Sequence, residues 1–487
     1  MQYIYKSAIE LATLIRERKA TSTDIVKEHL EHIHRHNHKL NAFISVFEEE
    51  ALQEAASCDQ EAREARFRGP LHGVPVSIKE QFWIKGKNSN TNFKMLKDFA
   101  APEDAVVVER IKKSGAIILG QTNVPKNLTD YQVNGDIYPE GKNPYNLEYS
   151  PGGSTGGGAA ALAAGFTPLE LGGDFGGSVR VPASFCGLYG LKPTEKTVPL
   201  HGNIPLPKNS KSMIVHMAQA GPLARNIDDL DLLWKIIVGP HKSDRAIPDI
   251  KWKQSEKNSL QEYKIAWTDG WPGFETSAQI SEAIKVFAEQ LKGAGCRVEK
   301  NLPDNSLHEE SLKTYMGIFP YVIAQGTPWI VRQIIKMQLY NGVLKGSKSD
   351  LPYLTKPLTE AFKMNANHYG EVMMQQSKMT RRWEEFFDQY DFLICPVAFG
   401  PAYKRCKTGD KLSYDGKEMI YLKYVWPYVA CFNASGNPSI TIPLGIGKEG
   451  LPIGVQIVGR YWSEPELIHF AKKAAALTAG FVKPEGY

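Results

Sequence analysis

The chain has 487 residues, about three times the usual domain size of roughly 150 residues, so one large or two moderate domains is the starting expectation. Its 58 Lys and Arg against 53 Asp and Glu leave a net charge of +5, slight for this length, and no basic tail or Lys/Arg block marks a nucleic-acid binder. Apolar residues at 42% and charged residues at 23% exclude global disorder, and no apolar run reaches the roughly eighteen residues of a membrane span.

The opening MQYIYKSAIE lacks the layout of a secretory signal and already holds a helix start. Ser7-Ala8-Ile9-Glu10 is a capping box, followed by Leu11, Leu14 and Ile15 on one face. A second helix begins near Thr21 to Asp24 and carries Ile25, Val26, Leu30 and Ile33; an Ala-rich third runs from Glu50 to Ala65. Val74 to Ile78 reads as a buried strand ending at Lys79, and Ala116 to Gly120 as another, after a helix holding Val106, Val107 and Ile111. The unit recurs at Lys264 to Trp267, a helix with Ile280, Ile284, Phe287 and Leu291 aligned, then Cys296 to Val298. Ser439 to Ile446 and Pro452 to Gly459 read as adjacent strands joined by a Gly-containing turn. This alternation predicts an α/β fold with a largely parallel or mixed central sheet. The polar stretch from His241 to Glu262 reads as a surface excursion within one domain. Six scattered cysteines (Cys58, Cys186, Cys296, Cys395, Cys406, Cys431) never form C-x-x-C, which fits reduced thiols and a cytoplasmic location.

The densest glycine signal runs from Pro151 to Gly187 and sets Ser154 and Ser178 each behind a glycine doublet. Glycine allows close approach to consecutive N–H groups, and a helix starting at Ser178 would direct free N–H groups and positive dipole at an anion, the ingredients of an oxyanion hole. Three readings compete. A phosphate-binding loop needs a Lys that does not follow these glycines. Gly152, Ser154 and Gly156 satisfy G-x-S-x-G, yet Asn143 to Pro151 is turn-like rather than a strand, and His201, His216, His241, His308, His368 and His469 have no distinguishing context. Structural glycine turns are the bland alternative.

The same stretch resembles the signature of the amidase signature family, the Ser–Ser–Lys amide hydrolases, with its two serines at the family's separation. Gly69 to Glu80 resembles the segment carrying that family's catalytic lysine, which falls on Lys79; Thr122 to Asn146 and Asn433 to Gly459 match as well, while about 300 to 430 matches poorly. The resemblance implies a single domain over 1–487, a core at about 60–240, and a large mixed sheet flanked by helices on both faces. It implies Ser178 as nucleophile, Ser154 as bridge and Lys79 as general base. Phe175, Gly176, Gly177 and Ser178 would supply oxyanion donors, and the peptide before Ser154 would be cis. Asp174 and Arg180 read as loop-shaping partners, and Thr155 as a hydroxyl for the relay. The scheme needs a neutral lysine, which burial behind Val74, Val76 and Ile78 would favour. Two positions depart from the family pattern: Gly173 replaces a hydroxyl residue, and Glu80 follows Lys79 where Asp is commoner; alternation along a strand predicts that Glu80 faces away.

Tyr315 to Leu344 is unusually apolar and reads as a core helix pair, with a lipophilic channel or membrane-resting patch as the alternative. Phe319, Tyr321 and Trp329 are candidate pocket walls. In His32 to His38, HIHRHNH, a metal-binding reading of His29, His32 and His36 yields to a solvated helix end. The chemistry implied needs no metal or organic cofactor. The partner expected is a small-molecule amide, not nucleic acid, with membrane-surface contact and a homodimer as subsidiary expectations. A non-catalytic relative is the alternative from another class. The family's glutaminyl-tRNA amidotransferase subunit is disfavoured, since its glutamine-binding residues have no clear counterpart.

Overall fold

The computed structural model describes residues 2–203, 215–324, 329–341, 351 and 354–487. The capping box forms as read: Ser7 and Glu10 close the start of the helix Ala8–Arg16. Thr21 caps Ser22–Leu40, and the Ala-rich helix spans Glu48–Arg63. The strands, in chain order, are β1 (Phe43–Val46), β2 (Pro75–Lys79), β3 (Ile117–Thr122), β4 (Leu169–Asp174), β5 (Tyr189–Lys192), β6 (Gln219–Ala224) and β7 (Lys264–Trp267). There follow the hairpin β8 (Gly270–Trp271) and β9 (Phe274–Glu275), β10 (Arg297–Lys300), β11 (Phe392–Pro396), the hairpin β12 (Leu412–Tyr414) and β13 (Lys417–Met419), β14 (Ser439–Ile446) and β15 (Pro452–Gly459).

Among the described residues eleven of these strands form one mixed sheet, in the order β1-β3-β2-β4-β6-β5-β14-β15-β11-β7-β10. β2 lies parallel to both β3 and β4, whereas β4–β6, β5–β6 and β14–β15 are antiparallel. Helices cover both faces: Ala8–Arg16, Ile227–Ile237 and Ala278–Gly293 pack into one core cluster, Ser22–Leu40 and Glu48–Arg63 into another. The stretch His241 to Glu262 is irregular, with one short turn at Leu260–Glu262.

What positions the site is the two-sided character of β2. Val76 and Ile78 join the first apolar cluster, while Ser77 and Lys79 point to the opposite face, as alternation along a strand requires. There a buried polar layer forms: Ser77 bonds Thr167 at 2.7 Å, and Thr122 donates to Glu170 at 2.6 Å. The helix Gly156–Ala163, which follows Ser154, roofs this layer with small residues. A Cβ on Gly157 would come within 2.4 Å of the Asn123 carbonyl and 2.8 Å of the Ala42 carbonyl, both rigid backbone. Helix propensity alone makes Gly157→Ala stabilising by about 1 kcal/mol. The close approach reverses the sign, and we expect denaturant unfolding to show a loss of about 1–3 kcal/mol.

Candidate active site

Parallel pairing of β2 with β4, with Ser77 opposite Glu170 and Ile78 opposite Leu171, brings two strand ends together. Lys79 ends β2 and Asp174 ends β4, and the glycine loop carrying Ser178 leaves from there. Such a crevice at strand carboxyl ends is the usual ligand site of open α/β sheets.

Lys79 has no exposed surface. Its Nζ donates to Ser154 Oγ at 2.8 Å and to the Gly173 carbonyl at 3.2 Å. Burial pulls the amine down to about 7, against the opposing charges of Asp174 and Glu170. A shift of that size corresponds to roughly 4–5 kcal/mol in favour of the neutral form. The peptide between Gly153 and Ser154 is cis. Glu80 turns the other way, as alternation predicts: its carboxylate accepts from the Asn90 N–H at 3.0 Å, and burial raises it to about 7. The place of the missing hydroxyl at Gly173 is filled by Gln81, whose amide would lie 2.5 Å from a Cβ there. The Thr155 hydroxyl donates to the Gly173 carbonyl at 3.3 Å, and the Thr155 N–H donates to the Ser178 carbonyl at 3.2 Å, which ties the two serine loops together. Among the described residues no hydrogen bond links the hydroxyls of Ser154 and Ser178, and none of the six downstream histidines bonds to either serine.

The expected helix at Ser178 begins later and is short, Arg180–Phe185. Asp174 accepts from the N–H groups that lead into it, Gly177 at 2.8 Å, Val179 at 3.1 Å and Arg180 at 3.4 Å. The expectation of Gly177 as an anion donor is therefore corrected, because its N–H is already engaged; at φ 99° that residue makes the turn instead. The N–H groups of Phe175, Gly176 and Ser178 bond to no acceptor among the described residues. Two tyrosines missed in the sequence hold this loop: Tyr131 donates to the Gly176 carbonyl and Tyr315 to the Phe175 carbonyl, each at 2.9 Å.

Asp174 and Arg180 form a fully buried bidentate pair, both bonds 3.0 Å long. Burial alone would raise the Asp174 carboxyl, but the guanidinium charge and hydrogen bonds outweigh it and hold the group well below the usual carboxylate range. Arg180 also donates to the Val429 carbonyl, Asn433 and Gln456, far along the chain.

Ser178 lines an inner cavity of about 80 Å³ whose walls include Phe175, Tyr315, Phe319 and Trp426. A second cavity of about 1110 Å³ adjoins it, with Thr129, Asp130 and Leu339 lining both. Of the candidate pocket walls, Phe319 holds its place. Tyr321 instead packs against Tyr369, the rings tilted by 42° with centroids 5.3 Å apart, and Trp329 is 72% exposed; neither lines these cavities. Of the stretch Tyr315 to Leu344, 325–328 and 342–344 lie outside the described residues; the core reading holds for its part of the helix Asn305–Ala324, which buries Tyr315, Met316, Ile318 and Val322. It fails for Trp329–Asn341, which exposes Ile330, Ile334 and Met337 as well. The solvated reading holds for His34 and His38, which are exposed, and is corrected for His32 and the neighbouring His29, which are buried and bonded to the carbonyls of Ala164 and Phe166. Among the described residues no helix is long and apolar enough to cross a membrane.

A family model described as Amidase matches residues 24–468, and the chain belongs to that family of amide-hydrolysing enzymes. It is 30% identical to one subunit of the glutamyl-tRNA(Gln) amidotransferase of Clostridium botulinum, over 97% of each chain. Its fold resembles that of a bacterial aryl acylamidase, with a TM-score of 0.81 at 23% identity over 99% of each chain. It also resembles a fatty acid amide hydrolase, with a TM-score of 0.77 at 22% identity over 99% of this chain and 86% of that one.

Replacing Asp174 by Asn would leave the Arg180 charge buried without its counterion, and we expect unfolding experiments to register a loss of about 3–5 kcal/mol.

Proposed function

We propose that the protein hydrolyses carboxamides through an acyl-enzyme on Ser178, with Lys79 as base and Ser154 as the bridge between them. The observation that carries this reading is the 2.8 Å hydrogen bond from a fully buried lysine to Ser154. A neutral amine in that place accepts a proton, whereas a solvated ammonium does not. In this reading substrate binding completes the contact between the two serines, since catalytic hydrogen bonds commonly tighten only in the Michaelis complex. Ser178 Oγ bonds to the amide carbon as its proton passes through Ser154 to Lys79. The N–H groups of Phe175, Gly176 and Ser178 receive the charge developing on the carbonyl oxygen. As the C–N bond breaks, the relay returns the proton to the departing nitrogen. Water then cleaves the ester and restores the serine. Asp174, Arg180 and Thr155 shape the loops and touch no reacting atom.

The likeness to the amidotransferase subunit favours a second reading, in which the amide is glutamine and the ammonia passes to a partner chain. Release of ammonia from glutamine without any N-substituted amide being cleaved would select it.

Ser178→Ala should lower turnover by at least about a thousandfold and abolish the mass adduct formed with a fluorophosphonate probe; unchanged turnover would refute the acyl-enzyme. Lys79 must be neutral to act, so kcat/KM should rise with pH through about 7. Because the charge of Glu170 raises the lysine, Glu170→Gln should move that acid limb to lower pH in a pH–rate profile.

A further inference from the structure

The two cavities at Ser178 differ in size, lining and access, and the chemistry of an acyl-enzyme assigns each a different half of the substrate. This inference rests on the reading just given. When the C–N bond breaks, the acyl group stays covalently fixed to Ser178 while the amine departs and water enters. The amine must leave and water must enter while the acyl group is still held on Ser178, so the amine side needs a route to solvent that the bound acyl group does not block.

The inner cavity is walled by aromatic residues and by Leu128, which the backbone holds at φ 63° with its side chain on the lining. Its roughly 80 Å³ is about half of the ~150 Å³ apolar cavity that accommodates a benzene ring. A chain of about three or four carbons fills such a space. The outer cavity reaches the surface at Gly135, Glu140, Glu148, Lys404 and Lys407, which are exposed. Its volume of about 1110 Å³ stands at the upper end of small-molecule sites, which run to about 1,000 Å³.

Its lining is charged and held in place. Lys126 pairs with Asp136 at 3.0 Å, Lys404 with Glu148 at 3.3 Å, and Arg405 with Glu140. At the junction of the cavities Asp130 accepts from Tyr421 at 2.5 Å, from the Tyr131 N–H at 2.7 Å, and from Thr408. Gln132 exchanges hydrogen bonds of 3.0 Å with the backbone of Cys406. The segment around Cys406 and Thr408 is thereby fastened over the passage.

We infer that the substrate is an N-substituted amide with a short apolar acyl group in the inner cavity and a large, polar amine in the outer one. Formation of the Ser178 ester releases that amine, protonated through the relay, into the charged vestibule. Water follows by the same path and gives a proton to Lys79 through the relay as its oxygen bonds to the acyl carbon; that proton returns to Ser178 Oγ as the ester bond breaks, and the acid leaves through the vestibule.

Two substrate series test this on the purified full chain. The first joins acetyl, butyryl, octanoyl and lauroyl groups to one amine, 7-amino-4-methylcoumarin. The second joins butyryl to ammonia, to aniline and to a tripeptide amine bearing Lys and Asp. We expect kcat/KM to fall at least about tenfold from butyryl to lauroyl, and to rise at least about tenfold from ammonia to the tripeptide. Phe319→Ala, which enlarges the inner cavity, should raise octanoyl over butyryl by a similar factor. Labelling rates of Ser178 with ethyl and decyl fluorophosphonates give a readout independent of turnover, and the ethyl probe should react faster. Lauroyl equal to butyryl, a faster decyl probe, or glutamine and butyramide as the best substrates would overturn the inference while the acyl-enzyme stood. Neither cleavage nor labelling would remove both.

Discussion

The active centre depends on keeping water from one amine. Lys79 stands at the end of a central strand with its nitrogen between Ser154 and the Gly173 carbonyl, and burial alone brings it to the neutral form near pH 7. Taking an ammonium out of water costs several kcal/mol, so the group gives up its proton rather than its position. The surrounding residues maintain that exclusion. Val76 and Ile78 bury one side of the strand, while the glycine- and alanine-rich helix after Ser154 closes down on the other. Larger side chains on that helix would hold it off the sheet, and a wet lysine would be a permanent cation.

A second constraint keeps the serine loop open to a ligand. The N–H groups at the entry to the short helix Arg180–Phe185, those of Gly177, Val179 and Arg180, all go to Asp174. The free N–H groups belong instead to the loop before it. They are free because Tyr131 and Tyr315 hold the loop carbonyls from one side. The N–H groups proposed to receive an anion and those held by Asp174 are thus separate sets, and the buried Arg180–Asp174 pair secures the second.

The legibility of this arrangement in the sequence followed the physics of each element. Apolar, largely β-branched runs at β2, β3, β14 and β15 read as strands, and in β14 and β15 they outweigh Pro443, Gly445 and Gly454. β4 escaped notice because two of its six residues are glycines, which carry no strand signal, although they let Thr155 and Gln81 press against the strand. Lys79, Ser154 and Ser178 stand out as candidates through the resemblance of their motifs to the family signature, and Asp174 with Arg180 through the same loop. Glu170, Tyr131 and Tyr315 do not, since their importance comes from neighbours distant in sequence. The histidine run misled for a related reason. A polar stretch reads as solvated, yet His29 and His32 spend their ring nitrogens on carbonyls at the end of the glycine helix. Trp329 misled in the opposite sense, an aromatic residue that stays on the surface.

The reach of Arg180 has a consequence for how the chain is made. Its remaining donors go to Val429, Asn433 and Gln456, all more than two hundred residues further on. A polypeptide emerging from the ribosome exposes both serines and the lysine long before those acceptors exist. Until the helix Tyr421–Ser435 and β15 are synthesised and docked, the guanidinium has only Asp174 to satisfy it, and the loop lacks these anchors. The candidate site is therefore completed only after Gln456 has been synthesised and docked, so that a product terminated before it carries the motif without this anchor.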